Sequence, residues 1–172
     1  CSSDLDNNIT TIDKSLMKGI TENINPKELT ITIKEKLSLI PNAVDFSVYS
    51  RFLEKNFSNE IDRIQFLKSY LSPVVNEYDY IFIDVPPTLS LLNDTAFYCC
   101  DQIVVVLQTQ ERSLTGAEVF IQYLQNTLVN EFNANCDVLG ILPVLSKRGA
   151  RVDEEVLKLA TEEFGEEYIF QN

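Results

Sequence analysis

Apolar residues along this chain alternate between short contiguous runs and stripes spaced by three or four. Runs at Leu29–Ile33 (LTITI) and Leu37–Ile40 (LSLI) predict short strands, the second closed by the Pro41-Asn42 turn. From Asn59 to Val75, the positions Ile61, Ile64, Leu67, Leu71 and Val74 form a helical stripe whose last turn Pro73 should distort. Tyr80–Ile83 reads as a strand without polar alternation, the pattern of a strand covered on both faces. Leu89–Cys99 fits a short helix, and Ile103–Leu107 (IVVVL) is the clearest buried strand. Ser113 is placed to cap a helix carrying Ala117, Phe120, Ile121, Leu124 and Leu128 on one face. Val138–Leu145 predicts a further strand, and Asp153–Phe164 an acid-started helix stopped by Gly165.

Strands separated by helices predict an α/β fold: a doubly wound, mainly parallel sheet with helices on both faces. No internal repeat, low-complexity tract or linker interrupts the pattern, so residues 1–172 are expected to form a single domain. With 172 residues and 45% apolar content, the chain can bury one sizeable core. Its net charge of −12 argues against wholesale coating of nucleic acid or anionic membrane, though not against a local basic patch. Histidine is absent, which removes Ser/His, Cys/His and histidine-metal chemistry and leaves carboxylates, lysines and hydroxyls. Cys1, Cys99, Cys100 and Cys136 form no CxxC pair, and such thiols suit a reducing, cytoplasmic setting. The adjacent Cys99 and Cys100 read as plain core residues, and Tyr78 and Tyr80 as packing residues beside a strand. No apolar run approaches the ~20 residues that span a bilayer, and no signal-peptide pattern is visible.

One position stands out chemically. In sheets of this kind ligands bind beyond the carboxyl ends of the strands, and Asp84 ends the Tyr80–Ile83 run. Pro86 and Pro87 then hold the chain extended, so the acid is aimed outward by a stiff loop. A poorly solvated acid there needs a cation or hydrogen-bond donors. On this pattern alone a metal-facing carboxylate and a helix-capping one both stay open.

The stretch YDYIFIDVPPTLSLLNDTAFYCCDQIVVVLQ, Tyr78 to Gln108, resembles the Walker B region of the ParA family, whose pattern runs YDYIIIDxPPSLGLL…NA…AADxVIIPVQ. Asp101 and Gln108 fall on the acid before the next strand and the glutamine ending it, and Ser113-Leu114-Thr115-Gly116 on the family's SLxG helix start. LSLIPNAVDFS upstream and VLGILPVLSKRGARVDEEVLKLATEEFG downstream are similar to further family segments, so the likeness covers nearly the whole chain. The resemblance implies a P-loop NTPase-like fold and a deviant Walker ATPase. Such proteins dimerise around ATP and Mg2+, bind DNA non-specifically and segregate plasmids or chromosomes with a ParB-like centromere-binding partner. It implies a cytoplasmic, nucleoid-associated homodimer without a membrane anchor.

Residue by residue, the resemblance makes Asp84 the Walker B acid that binds magnesium through water, and the Asp84-Val85-Pro86-Pro87 turn a γ-phosphate sensor. The family's DxDPQxNxT motif overlays without gaps on Ser2 to Thr10. Asp4 then orients the attacking water, and Asn8 and Thr10 keep their positions beside the nucleotide. Ser2, Leu5 and Asp6 depart from the motif, and an overlay using Asp4-Leu5-Asp6 as DxD would need a deletion. Read without the family, this segment is a polar terminus of turn-forming residues. Lys147, Arg148 and Arg151 stand where the family carries a basic DNA-binding loop; the alternative is a solvated loop paired with Asp153, Glu154 and Glu155.

The family's phosphate loop, KGGxGK(S/T), is not among these residues: none of the five glycines is adjacent to another or followed by Lys-Ser or Lys-Thr. The expectation is therefore the middle of a ParA-like protein, without first strand, phosphate loop or C-terminal segment, and inactive toward ATP by itself. The competing expectations are a MinD-like or other deviant Walker ATPase and a non-enzymatic interaction protein on the same fold. The CxxC of the iron–sulfur carriers and the C-terminal amphipathic helix of MinD are not seen in the sequence.

Overall fold

The structure, a computed structural model, describes residues 14–108, 111–144 and 151–171. The chain divides into two compact units, Cys1–Asp84 and Val85–Asn172.

In the first unit, Ser15 caps helix α1 (Leu16–Thr21), its hydroxyl accepting from the Lys18 N–H at 3.1 Å. Helix α2 (Pro26–Leu29) starts on the Asn25 cap with proline at its first position. That start signal corrects the expected strand at Leu29: this side chain ends α2 fully buried, and the strand β1 begins only at Ile31 (Ile31–Lys34). β1 pairs antiparallel with β2 (Leu37–Leu39), so these strands form a hairpin. A 3-10 turn (Val44–Val48) leads into α3 (Tyr49–Asn56), which buries Tyr49 and Leu53. Helix α4 (Glu60–Val75) follows the predicted stripe and buries Ile64, Leu67 and Val74. Pro73 lacks the N–H that would bond the Ser69 carbonyl, and the Ser72 hydroxyl donates to that carbonyl instead at 2.9 Å.

Tyr80–Ile83 departs from expectation. It forms no strand among the described residues, with Tyr80 82% and Phe82 93% exposed. Tyr78 is exposed too, so neither tyrosine packs as predicted. Missing polar alternation says that a segment can be covered on both faces; whether a neighbour covers it is decided by packing.

The second unit is built on a parallel pair, β3 (Gln102–Gln108) and β4 (Asp137–Val144), in register from Gln102↔Asp137 to Gln108↔Val144. The far side of β4 meets Ile169 in a parallel bridge, and Phe170 N–H donates to the Ile141 carbonyl at 2.9 Å. On β3, Ile103, Val105 and Leu107 are buried while Val104 and Val106 are exposed, so one face is covered rather than both. Helix α5 (Leu91–Cys99) precedes β3, and α6 (Glu111–Tyr123) continues as a π-helix through Leu124–Glu131. Since α6 begins at Glu111, Ser113 lies in its first turn and is not its cap. The predicted face is otherwise as expected: Ala117, Leu124 and Leu128 are buried, with Phe120 and Ile121 packed against the core. Asn133, at φ 58°, takes the left-handed conformation just past the helical segment. Helix α7 (Arg151–Phe164) stops at Gly165, φ 95°, as predicted.

The core of this unit has two centres. Val105, Leu107, Leu114, Ala117, Ile141 and Ala160 form one; Phe97, Ile103, Leu124, Leu128 and Ala134 form the other. Cys99 and Cys100 are half-buried, their thiols donating to the Thr95 and Ala96 carbonyls at 3.0 and 3.3 Å. No disulfide joins Cys99, Cys100 and Cys136.

Candidate functional site

The site grows from the end of the Tyr80–Ile83 segment. Asp84 presents its carboxylate to solvent, and Pro86 and Pro87 behind it are exposed as well. Val85 is the anchor: half-buried, it packs against the centre formed by Phe97, Ile103 and Leu124. Beyond it the loop lacks two backbone donors, since neither proline has an N–H. One turn bond remains, from Thr88 N–H to the Pro86 carbonyl at 2.8 Å.

The rest of the restraint comes from α5. Asn93, three residues into that helix, is fully buried, and its Nδ2 donates to the Pro86 carbonyl at 2.7 Å and to the Thr88 carbonyl. Its Oδ1 is buried with no hydrogen-bond partner. Thr95 is equally buried, its hydroxyl turned back onto the Leu92 carbonyl at 2.8 Å. Asp94 accepts from the Tyr123 hydroxyl at 2.8 Å, which ties α5 to the end of α6. The loop is thus held at one end by a half-buried valine and along its length by a buried amide on α5.

Among the described residues no three His, Cys, Asp or Glu side chains cluster as a metal site. A cation at Asp84 would be held by this carboxylate, with water and ligand oxygens in its shell. That donor set fits magnesium, which keeps several waters and is bound by one or two carboxylates together with phosphates.

Of the residues singled out from the sequence, Asp84, Pro86 and Pro87 are brought together on this loop. Asp4, Asn8, Thr10, Lys147 and Arg148 lie outside the described residues, as does the side chain of Arg151. Asn93 was missed. Its signal was there as a polar Asn-Asp pair breaking the apolar run LSLLNDTAF, at a helix position where asparagine has no propensity advantage.

A family model described as an AAA domain matches residues 1–138. The sporulation initiation inhibitor protein Soj of Bacillus subtilis is 30% identical over 130 residues, covering 74% of this chain and 50% of that protein. The chromosome partitioning protein ParA of Myxococcus xanthus is 29% identical over 156 residues, covering 89% and 51%. The crystal structure of cobyrinic acid a,c-diamide synthase from Mycobacterium smegmatis, with bound ATP analog and magnesium, superposes with TM-score 0.79 at 20% identity, over 93% of this chain and 62% of that one. At that identity the superposition shows the fold alone. The chain spans about half the length of the curated relatives it matches. No helix of the described residues is long and apolar enough to cross a membrane.

Proposed function

This chain belongs to the ParA/MinD family of AAA-domain proteins and has that family's α/β P-loop NTPase fold, and on this premise we propose that it serves in ATP-dependent DNA partition. The activity proposed for the whole protein is that of an ATP-switched homodimer. It binds DNA without sequence preference and is stimulated by a ParB-like partner, in the cytoplasm and on the nucleoid. The observation that carries the reading is the exposed Asp84 carboxylate on a proline-stiffened loop pinned from beneath by Asn93.

In this reading Asp84 would hold a hydrated Mg2+, which when bound would supply charge neutralisation on the nucleotide phosphates. Asp4 would orient the attacking water by accepting a hydrogen bond from it, with Asn8 and Thr10 beside the nucleotide. Pro86 and Pro87 keep the loop's carbonyls at fixed directions, so a phosphate in front of Asp84 changes the loop as a unit. Phosphoryl transfer depends chiefly on positioning and charge neutralisation. A phosphate-cradling KGGxGK(S/T) loop is not within these 172 residues, and hydrolysis is proposed only for a protein that carries one. Lys147, Arg148 and Arg151 would neutralise a few DNA phosphates, doubled in a dimer, giving salt-sensitive binding.

The test is ATP hydrolysis by the whole protein with DNA and its ParB-like partner, beside Asp84→Asn. Stimulated hydrolysis that the variant loses supports the proposal. Equal stimulated rates in both proteins would remove Asp84 from the reaction, and no hydrolysis under any of these conditions would leave a non-enzymatic interaction protein on the same fold.

A further inference from the structure

We propose that Asn93 is a positioning residue: a two-sided latch that holds the Asp84 loop in one arrangement and is equipped to hold it in a second. Its amide donors are both spent on the loop, to the carbonyls of Pro86 and Thr88. Its acceptor is idle, since Oδ1 is buried without a partner. Buried polar atoms in native proteins are almost always bonded, so an idle acceptor on the side chain that grips this loop calls for an explanation. A plain structural clamp would use a side chain satisfied at both ends.

The loop explains it. Pro86 and Pro87 supply no N–H and the Thr88 N–H is spent on the Pro86 carbonyl, so the Asn93 acceptor finds no free loop donor at the positions its own donors grip. The next backbone N–H groups, those of Leu89 and Ser90, lie immediately beyond Thr88 in the chain. A short slide of the loop exchanges a carbonyl on Nδ2 for an N–H on Oδ1. The number of hydrogen bonds stays constant while Asp84 moves. The latch can act this way because its own base is fixed: Asp94 is bonded to Tyr123, and Thr95 and Phe97 are buried. The latch stands on these bonds. Only the identity of what drives the slide, a nucleotide phosphate, rests on the function proposed above.

Amide hydrogen exchange of residues 85–99 tests it in wild type, Asn93→Leu and Asn93→Asp. In Asn93→Leu the Thr88 amide, which donates to the Pro86 carbonyl that Asn93 holds, should exchange about tenfold faster, the scale of losing a hydrogen bond, with Thr95–Cys99 unchanged. Asn93→Asp should match it at neutral pH. As pH falls and the buried carboxyl takes up a proton, it regains one donor, and its loop should slow relative to Asn93→Leu after correction for intrinsic rates. Unchanged loop exchange in Asn93→Leu, loss of protection throughout α5, or an Asn93→Asp loop that ignores pH would each overturn the latch. The whole protein with and without MgATP separates the two ideas. A wild-type loop that ignores MgATP defeats the nucleotide-switch reading and leaves the latch to the first measurement. A loop that responds identically in wild type and Asn93→Leu defeats the latch and leaves the switch reading intact.

Discussion

Placing a single methyl group on β4 should separate two glycines that look alike in sequence. A Cβ built on Gly140 meets the Tyr168 backbone oxygen at 2.7 Å and the Phe170 ring at 3.0 Å. Ordinary C···O contacts sit near ~3.3–3.6 Å, so the chain at Tyr168–Phe170 must withdraw by roughly half an ångström or more. The obstacle is backbone and cannot rotate aside. Withdrawal stretches the Phe170 N–H to Ile141 carbonyl bond, now 2.9 Å, toward the limit of a useful hydrogen bond. Overpacking costs about 1–3 kcal/mol and the weakened bond about 1, so Gly140→Ala should lose about 2–4 kcal/mol. Gly116, inside α6, has no atom within 4 Å of its built Cβ. Alanine there should gain about 0.5–1 kcal/mol from helix propensity. Urea unfolding followed by far-ultraviolet circular dichroism reads both, as opposite shifts of the midpoint at constant slope. If Gly140→Ala matches wild type while Gly116→Ala behaves as expected, the close approach of the 166–170 segment to β4 is wrong.

Tyr70, whose hydroxyl donates to the Ile24 carbonyl at 2.7 Å, has its pKa raised by burial. Above the ordinary tyrosine value the unfolded chain loses this proton first, so stability should fall as pH rises from 10 toward the folded-state pKa. Tyr70→Phe should be less stable by about 1 kcal/mol at neutral pH and lack that contribution to alkaline loss, measured by denaturation at pH 8 and above 10. The 172 residues alone should release no phosphate from ATP above background, with or without DNA, in a coupled assay. Replacing Lys147, Arg148 and Arg151 with alanine in the whole protein should weaken DNA binding alike for all sequences. It should reduce the slope of log affinity against log salt by up to about 3 per protomer.

Much of the frame was legible in the chain. The α4 stripe, the IVVVL strand and the Gly165 stop depend on local periodicity and on backbone freedom, which neighbours in sequence dictate. Helix α2 departs from the expected LTITI strand because side-chain type favours a strand there, while Asn25-Pro26 set the start of a helix that consumes its first residue. The exposed Tyr80 and Phe82 were misread for another reason. An apolar run records tolerance of burial on both sides, and only packing partners convert tolerance into burial. The helices α1 and α3 carry too few turns for a period to show in the sequence.

What the sequence determined by itself is the covalent order of the site: an acid after an apolar run, then two prolines, which fix dihedrals and remove donors wherever they stand. Tertiary structure decided what holds that loop. Nothing in the string LLNDTA says that the Asn93 amide grips the Pro86 and Thr88 carbonyls with its acceptor left over. The reason is that a hydrogen bond between residues five to seven apart across a loop and a helix turn depends on where the helix is seated. Its seat is set by contacts such as Tyr123 on Asp94, 29 positions away along the chain.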